Sequence, residues 1–126
     1  MGARQVGDTA VEVHVTTPDA STAEHLARLL VEERLAACVQ VVPGVRSTYR
    51  WEGGVAVDDE HLLLVKSLAS LFGPIRDRIG AEHPYDTPEV IAVPAVDVDE
   101  RYLTWLEESV RRDGPEAGVL PAPDPT

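Results

Sequence analysis

Hydrophobic and polar residues alternate with a period of two along residues 10–17, and this pattern predicts a β-strand with two different faces. One face would carry Val11, Val13 and Val15, and the other would carry Glu12, His14 and Thr16. Further β-type patterns cover residues 37–51, 55–67 and 90–93. We therefore expect the chain to contribute four strands to a sheet.

Two short motifs interrupt the β-type pattern. Pro43-Gly44 falls inside the second predicted strand, where a proline indicates an edge position or a bulge. Glu52-Gly53-Gly54 separates the second strand from the third and is typical of a hairpin turn. The two strands on either side of this turn are long, so we expect a long hairpin.

Apolar residues spaced by three and four positions predict helices between the strands. The first helix would run to about Leu35, and residues 21–24 (Ser-Thr-Ala-Glu) have the form of a capping box at its start. Thr17 and Asp19 are alternative capping residues. Two further helices are expected at residues 70–82 and 99–112.

The predicted order is β-α-β-β-α-β with a C-terminal helix, which is the ferredoxin-like arrangement of an α+β protein. Right-handed crossovers would place the first two helices on one face of an antiparallel sheet. We expect one such domain at residues 10–112. Residues 113–126 are rich in proline and poor in apolar side chains, and we predict a disordered tail there.

The third strand contains a run of apolar residues that two helices on one face cannot cover. Residues 62–65 (Leu-Leu-Leu-Val) place apolar side chains on both faces of the sheet. The hairpin at 45–60 also extends further than a small domain requires. We expect a second copy of the chain to cover the open face, and the alternative is that the third helix folds across it.

The charge of the chain limits its partners. The 126 residues include 22 acidic and 11 basic side chains, which gives a formal net charge of −11. This balance argues against binding to nucleic acid or to an anionic membrane surface, because both require a basic patch. No apolar run approaches the length of a membrane span. We expect an acidic surface that attracts cations.

The single cysteine, Cys38, excludes an intrachain disulfide and is typical of a reducing compartment. Residues 1–9 lack the apolar core of a secretory signal. We therefore expect the protein in the cytoplasm. In its Ala-Ala-Cys-Val context, Cys38 is expected to be a small buried hydrophobe, and a thiolate metal ligand is the alternative.

Several motifs occur together in one order along residues 10–110, and they resemble the CutA divalent-cation tolerance family. The motif with the most unusual composition places an imidazole, a phenol and two carboxylates between two prolines. The motifs are Glu32-Glu-Arg-Leu-Ala-Ala-Cys-Val39, Val42-Pro-Gly44, Ser47-Thr-Tyr-Arg-Trp-Glu-Gly53, Leu64-Val-Lys66, His83-Pro-Tyr-Asp-Thr-Pro-Glu89 and Tyr102-Leu-Thr-Trp-Leu106.

This resemblance implies a ferredoxin-like subunit in a tight homotrimer, with long hairpin arms exchanged between neighbours. It also implies tolerance to divalent metals, with Cu²⁺ as the first ion expected and no organic cofactor. No established enzymatic activity accompanies the resemblance. The chain contains none of the familiar catalytic motifs, so we expect a protein that is not an enzyme.

His83 and Glu82 are the candidate metal ligands. A neutral imidazole binds copper or zinc at neutral pH, and Glu82 places a carboxylate beside it. A structural role for His83 at the end of the second helix is the alternative. His14, His25 and His61 have no evident partner at ligand spacing.

Aromatic and charged residues within the motifs are candidates for a subunit interface or a cleft between subunits. Lys66 and Glu89 could instead form a buried ion pair at that interface. The candidate residues are Tyr49, Trp51, Lys66, Tyr85, Asp86, Glu89 and Trp105.

Three functions remain open at this point. The first is a trimeric protein that binds divalent metal, and the second is a trimeric signalling module that senses a small metabolite between subunits. The third is an enzyme that uses acid–base groups of residues 83–89.

Overall fold

The computed structural model describes residues 8–111. A single turn of 3₁₀ helix, Ala69–Leu71, precedes the second helix. The elements in chain order are β1 (Ala10–Thr17), α1 (Ala20–Glu32), β2 (Cys38–Trp51), β3 (Gly54–Leu68), α2 (Phe72–Glu82), β4 (Ile91–Pro94) and α3 (Glu100–Ser109). The prediction for residues 113–126 lies outside the described residues.

The strands form one four-stranded sheet in the order β2-β3-β1-β4. Every neighbouring pair is antiparallel, and β1 lies between β3 and β4. This is the ferredoxin-like α+β arrangement, so the predicted fold class is confirmed. β2 and β4 form the two edges of the sheet.

One face of the sheet is covered by α1 and α2 and holds the core. The sheet side chains at its centre have no solvent exposure, and they pack with fully buried leucines and isoleucines of the two helices. The residues that meet there are Val13, Val15, Leu63 and Val65 from the strands and Leu26, Leu30, Ile75 and Ile79 from the helices. The valines of residues 10–17 therefore share one face, as predicted, and the structure shows that this face lies in the core.

The opposite face, which we call the open face, is only partly covered. α3 lies over one end of it, where Leu106 is buried and lines a cleft together with Glu12 and Lys66. Leu64 and Ile91, the register partners of His14 on the two neighbouring strands, lie on this face and remain partly or largely exposed. The third helix thus covers part of the open face and leaves apolar surface beside it.

The hairpin of β2 and β3 extends beyond the body of the domain, and we call residues 45–60 the arm. A change of register between Val42 and Val45 marks its base, and Gly44 there has a φ of 74°. The predicted bulge at Pro43-Gly44 is therefore confirmed. At the tip, Glu52 and Gly53 have φ values of 48° and 81°, as the type I′ hairpin turn requires.

The two ends of α1 show which residues begin and end the helix. Asp19 caps the helix, because its carboxylate accepts the Thr22 N–H at 2.8 Å. The predicted end at Leu35 was wrong by one turn, since α1 ends at Glu32. Arg34 has a φ of 62°, and this left-handed residue turns the chain so that the Leu35 N–H bonds the Leu30 carbonyl at 2.9 Å.

The later helices are also shorter than predicted. α2 begins at Phe72 because Ala69–Leu71 forms a 3₁₀ turn, which places Gly73-Pro74 in the first turn of the helix. α3 begins after Asp99, whose carboxylate accepts two backbone N–H groups. Among the described residues, no helix is both long and apolar enough to cross a membrane.

Candidate functional site

His83 lies where α2 ends and the connector to β4 begins. Its backbone N–H bonds the Ile79 carbonyl at 2.8 Å, and its side chain is only 8% exposed. The ring Nε2 donates to the Thr16 carbonyl at 2.7 Å, and the Tyr85 N–H donates to the ring Nδ1 at 3.1 Å. These bonds require the neutral imidazole with its proton on Nε2. Both nitrogens are therefore engaged within the chain.

Tyr85 links this connector to the base of the arm. Its hydroxyl donates to Glu60 Oε2 at 2.7 Å, and Glu60 is only 7% exposed. The Tyr85 ring also lies against the His83 ring, with centroids 4.6 Å apart. Burial, and then the bond to Glu60, raises the pKa of Tyr85 far above its usual range. Tyr85 therefore stays protonated and holds the Glu60 carboxylate.

A second phenol–carboxylate pair lies further along the arm. Tyr49 on β2 donates its hydroxyl to Asp58 on β3. The hydrogen bond to Asp58 raises the pKa of Tyr49, although this pair is exposed. The arm therefore carries Asp58 and Glu60 each paired with a tyrosine, and the two pairs differ mainly in the burial of the carboxylate, since Glu60 is buried and Asp58 is exposed.

Glu82 does not share its environment with the His83 ring. Its carboxylate faces α1, where Oε1 lies 2.9 Å from His25 Nε2. Its other oxygen accepts from Arg78 at 3.4 Å, and the bond to His25 comes first among the causes that lower the pKa of Glu82. The adjacent residues Glu82 and His83 therefore have different partners.

A cluster on the open face was not predicted from the sequence. His14 Nε2 lies 2.8 Å from Glu12 Oε1, and the Lys66 ammonium donates to the other oxygen of Glu12. Lys66, followed by His14, lowers the pKa of Glu12, which therefore stays ionised at neutral pH. The alternating pattern of β1 already placed Glu12 and His14 on one face. Only the pairing of Glu12 with Lys66 across β1 and β3 completes the cluster.

Comparison with known proteins shows what this fold and these residues belong to. The CutA1 divalent ion tolerance protein family matches residues 11–109 of the chain. The chain belongs to the CutA1 family. The match runs from β1 to the end of α3 and includes the His83 connector, so the resemblance found in the sequence motifs is confirmed.

Relatives and solved CutA structures agree with this assignment. The divalent-cation tolerance protein CutA of Thermus thermophilus is 47% identical over 77% of this chain and 94% of its own length. The chloroplastic CutA protein of Arabidopsis thaliana is 45% identical over 81% of this chain, which spans only 56% of that relative. The crystal structure of CutA1 from Oryza sativa covers 86% of this chain and all of its own, with a TM-score of 0.82 and 40% identity.

The donor groups of this CutA chain do not form a metal site in the described conformation. Among residues 8–111, no group of three or more histidines, cysteines and carboxylates is placed to hold a metal ion. His83 uses both ring nitrogens and Glu82 pairs with His25 and Arg78. Cys38 lies half-buried on β2, directly opposite Lys66. Metal binding by His83 and Glu82 remains a prediction.

The other predicted site residues are distributed along the CutA subunit. Lys66 and Trp51 lie near opposite ends of the β2–β3 hairpin, and Glu60, the partner of Tyr85, lies midway between them. At about 3.3 Å per residue, each separation along β3 is roughly 20 Å. Within one chain, Trp51, Tyr85 and Lys66 therefore cannot line a single cleft.

The remaining candidates are exposed. Asp86 and Glu89 are exposed on the connector, and the ammonium of Lys66 contacts Glu12 rather than Glu89 within the chain. Trp105 on α3 packs against Tyr102, with ring centroids 5.3 Å apart. The structure thus joins Tyr85 to the base of the arm, and it leaves Tyr49, Trp51, Tyr102 and Trp105 exposed.

Lys66 lines a cleft that the sequence did not predict. The cleft has a volume of about 410 Å³ and lies between α3 and the open face. Its walls are apolar except for the Glu12–Lys66 pair and the Tyr102 phenol. This CutA chain therefore presents a partly polar recess directly beside its exposed apolar surface.

Proposed function

We propose that this CutA-family chain forms a homotrimer that binds divalent cations, Cu²⁺ first, and serves tolerance to those ions. The observation that carries the assembly is the open face. Ile91 and Val93 on β4 are 53% and 42% exposed there, whereas the side chains at the centre of the other face are fully buried. Apolar surface of this kind is stabilised when a partner covers it.

The arm provides a second reason to propose assembly. Val55 and Val57 are 70% and 53% exposed, and Trp51 at the tip is 60% exposed. These are strand-forming apolar residues with no layer of the described chain packed over them. A neighbouring subunit would supply that layer. An exchange of arms between identical subunits would cover the apolar residues of every arm in the same way.

The cation role rests on the family and on charge. The family is described by divalent ion tolerance, and the formal charge of −11 attracts cations to the surface. Copper heads the series of divalent affinities for nitrogen and oxygen ligands, which makes it the first ion to test. The proposed role requires binding rather than catalysis.

Light scattering after size exclusion tests the assembly. A homotrimer gives three times the chain mass of 13.7 kDa. A monomer at micromolar concentration would contradict the proposed assembly, because the apolar face would then be stable in water.

Titration calorimetry with Cu²⁺ tests the predicted ligands. We expect His83→Ala to lower both affinity and stoichiometry, and Glu82→Gln to lower affinity. His14→Ala, whose imidazole pairs with Glu12 and not with Glu82, is a matched control for loss of an imidazole, and circular dichroism checks that each variant is folded. Unchanged copper binding in folded His83→Ala would rule out this residue as a ligand.

The cleft beside α3 supports a second candidate function, a sensor of a small metabolite. It combines apolar walls with the charged pair Glu12–Lys66 and has a volume within the usual range for ligands. A thermal-shift screen of metabolites, repeated with Lys66→Met, distinguishes this function. If the protein is such a sensor, a non-metal ligand should raise the Tm of the wild type and should not raise that of the variant.

We also propose that the protein acts in the cytoplasm, on the basis of its single cysteine. The Arabidopsis relative is named as chloroplastic, so location differs within the family. Fractionation of cells that express the chain at its natural level tests this proposal. Recovery outside the cytoplasmic fraction would contradict it.

A further inference from the structure

The cleft beside α3 is lined by residues of three strands and one helix. A row across the open face contains Val93 on β4, Glu12 on β1 and Lys66 on β3, because Glu12 is the register partner of both other residues. α3 contributes Tyr102 and Leu106, which are about one helical turn apart and line the same cleft. The ion pair of Glu12 and Lys66 therefore lies on the side of the sheet, and the Tyr102 phenol lies on the side of the helix.

The carboxylate of this cleft already has partners on both of its oxygens. The Lys66 ammonium donates to Glu12 Oε2, and His14 Nε2 lies 2.8 Å from Glu12 Oε1. The bond from Lys66 is the largest of the causes that lower the pKa of Glu12, so the carboxylate is ionised at neutral pH. An ionised carboxylate can only accept hydrogen bonds. A cationic ligand would therefore have to compete with Lys66 and His14 for Glu12.

The donor groups of the cleft are only partly used. An ammonium has three N–H donors, and within residues 8–111 the ammonium of Lys66 makes one bond, to Glu12. The Tyr102 hydroxyl has no hydrogen-bond partner in the same part of the chain, and its ring is held against the Trp105 ring. The free hydrogen-bonding capacity of the cleft therefore consists mainly of donors, and these call for a ligand that supplies acceptors.

The other walls and the volume limit the rest of the ligand. Val93, Val98 and Leu106 place apolar side chains around the donors. The volume of about 410 Å³ is near the lower end of the range for ligand pockets, which is about 300–1,000 Å³. A carboxylate has two acceptor oxygens and forms stronger hydrogen bonds than a neutral acceptor does. The cleft therefore matches a small molecule that has a short apolar body and one carboxylate.

We propose that the cleft binds a small monocarboxylate with an apolar body, whose carboxylate accepts hydrogen bonds from the Lys66 ammonium and the Tyr102 hydroxyl. This inference rests on the sensor function proposed above as the second candidate, and it names the class of ligand. Lys66 bridges two carboxylates in the bound state, one from Glu12 and one from the ligand. Lys66 and Tyr102 then select the charge of the ligand, and the apolar walls select its size.

The overall charge of the chain predicts the opposite preference. The formal charge of −11 attracts cations to the surface and repels anions. A ligand held only by general electrostatics would therefore be an amine. Tighter binding of a carboxylate than of an amine with the same apolar body is for this reason a signature of the donors in the cleft.

Calorimetric titration of the full chain with hexanoate, hexanol and hexylammonium at neutral pH tests the inference, because the three probes share one apolar body. We expect hexanoate to bind about tenfold more tightly than either of the other probes, since hydrogen bonds between charged groups supply at least this factor. Lys66→Met should remove most of this preference, and Tyr102→Phe should remove a smaller part. Tyr49→Phe removes a phenol that pairs with Asp58 on the arm and is the matched control, which should bind hexanoate as the wild type does.

A second measurement locates the bound probe. Lys66 is the only lysine in the chain, so isotope-labelled lysine gives a single backbone amide resonance beside the cleft. Hexanoate should shift this resonance in the wild type and in Tyr49→Phe. Circular dichroism checks that each variant is folded. Tyr102→Phe removes a single oxygen atom from an exposed side chain, so it tests the inference even if Lys66→Met does not fold.

The outcomes separate this inference from the function on which it rests. Equal or tighter binding of hexanol or hexylammonium, with a shift of the lysine resonance, would leave a ligand cleft in place and overturn the carboxylate as its ligand. Hexanoate binding that is unchanged in both Lys66→Met and Tyr102→Phe would overturn the site. Binding of none of the three probes to the wild type would overturn the inference, whereas the metabolite screen still decides the sensor function by itself.

Discussion

The covered face and the open face of the sheet are formed by the same strands, but they have different surroundings. Leu63 and Leu64 are neighbours on β3, yet Leu63 is fully buried beneath the helices while Leu64 is only partly buried on the other side. The covered face consists mainly of apolar residues, which fill a single core. The open face combines apolar residues with the charged cluster of Glu12, His14 and Lys66. The first face stabilises the subunit, and the second is suited to contact another subunit.

The largest expected effect is on the covered face. Leu63→Ala leaves a cavity between the sheet and the helices and should lower the free energy of unfolding by about 2–5 kcal/mol. Leu64→Ala is the matched substitution on the open face, and we expect it to weaken assembly more than folding. Urea denaturation at a fixed protein concentration and light scattering measure the two effects. Equal loss of folding stability in both variants would remove the distinction between the faces.

The next largest loss of folding stability is expected at the connector, which joins the covered face to the base of the arm. Tyr85→Phe leaves Glu60 without its phenol partner, and an unpaired buried acceptor costs about 1–3 kcal/mol. Tyr49→Phe makes the same chemical change in the exposed pair with Asp58 and should cost less than about 0.5 kcal/mol. Denaturation midpoints of both variants provide the measurement. A larger loss from Tyr49→Phe would show that burial does not control these pairs.

A smaller loss of folding stability is expected at the start of α1, the helix that packs on the covered face. Asp19→Ala removes the side chain that caps the helix and should cost about 1 kcal/mol. Ser21→Ala alters the alternative capping box and should change stability by no more than about 0.5 kcal/mol. Thermal unfolding of both variants at one concentration provides the comparison. A greater effect of Ser21→Ala would favour the capping box.

The smallest expected effect is electrostatic and belongs to the open face. Because Lys66 and His14 lower the pKa of Glu12, its ionised form stabilises the folded state at pH values above its ordinary pKa of 4.5. That contribution is lost as the pH falls through the lowered pKa. The stability difference between the wild type and Glu12→Gln should therefore be present above pH 4.5 and decrease as the pH falls below it. A difference that persists unchanged at pH 3 would contradict this assignment.

The candidate site was less accessible to sequence reasoning than the fold. His83 and Tyr85 were singled out because they lie in a motif with two prolines, but their partners Thr16 and Glu60 are far from them in the chain. Adjacent positions suggested that Glu82 and His83 would act together. The end of α2 at Glu82 gives the two side chains different directions, because the backbone at His83 is extended. Adjacency in sequence therefore does not show which groups each side chain contacts.

The sequence alone determined the four strands, the helices, the bulge at Pro43-Gly44, the hairpin turn and the family. These features depend on periodicity and on local backbone preferences, which are properties of short segments. Tertiary structure alone decided which groups pair across the sheet, because strand register brings together residues more than 50 positions apart, such as Glu12 and Lys66. It also decided that α3 covers only one end of the open face. A helical pattern shows that α3 has an apolar side, whereas the surface against which that side packs depends on the path of the whole chain.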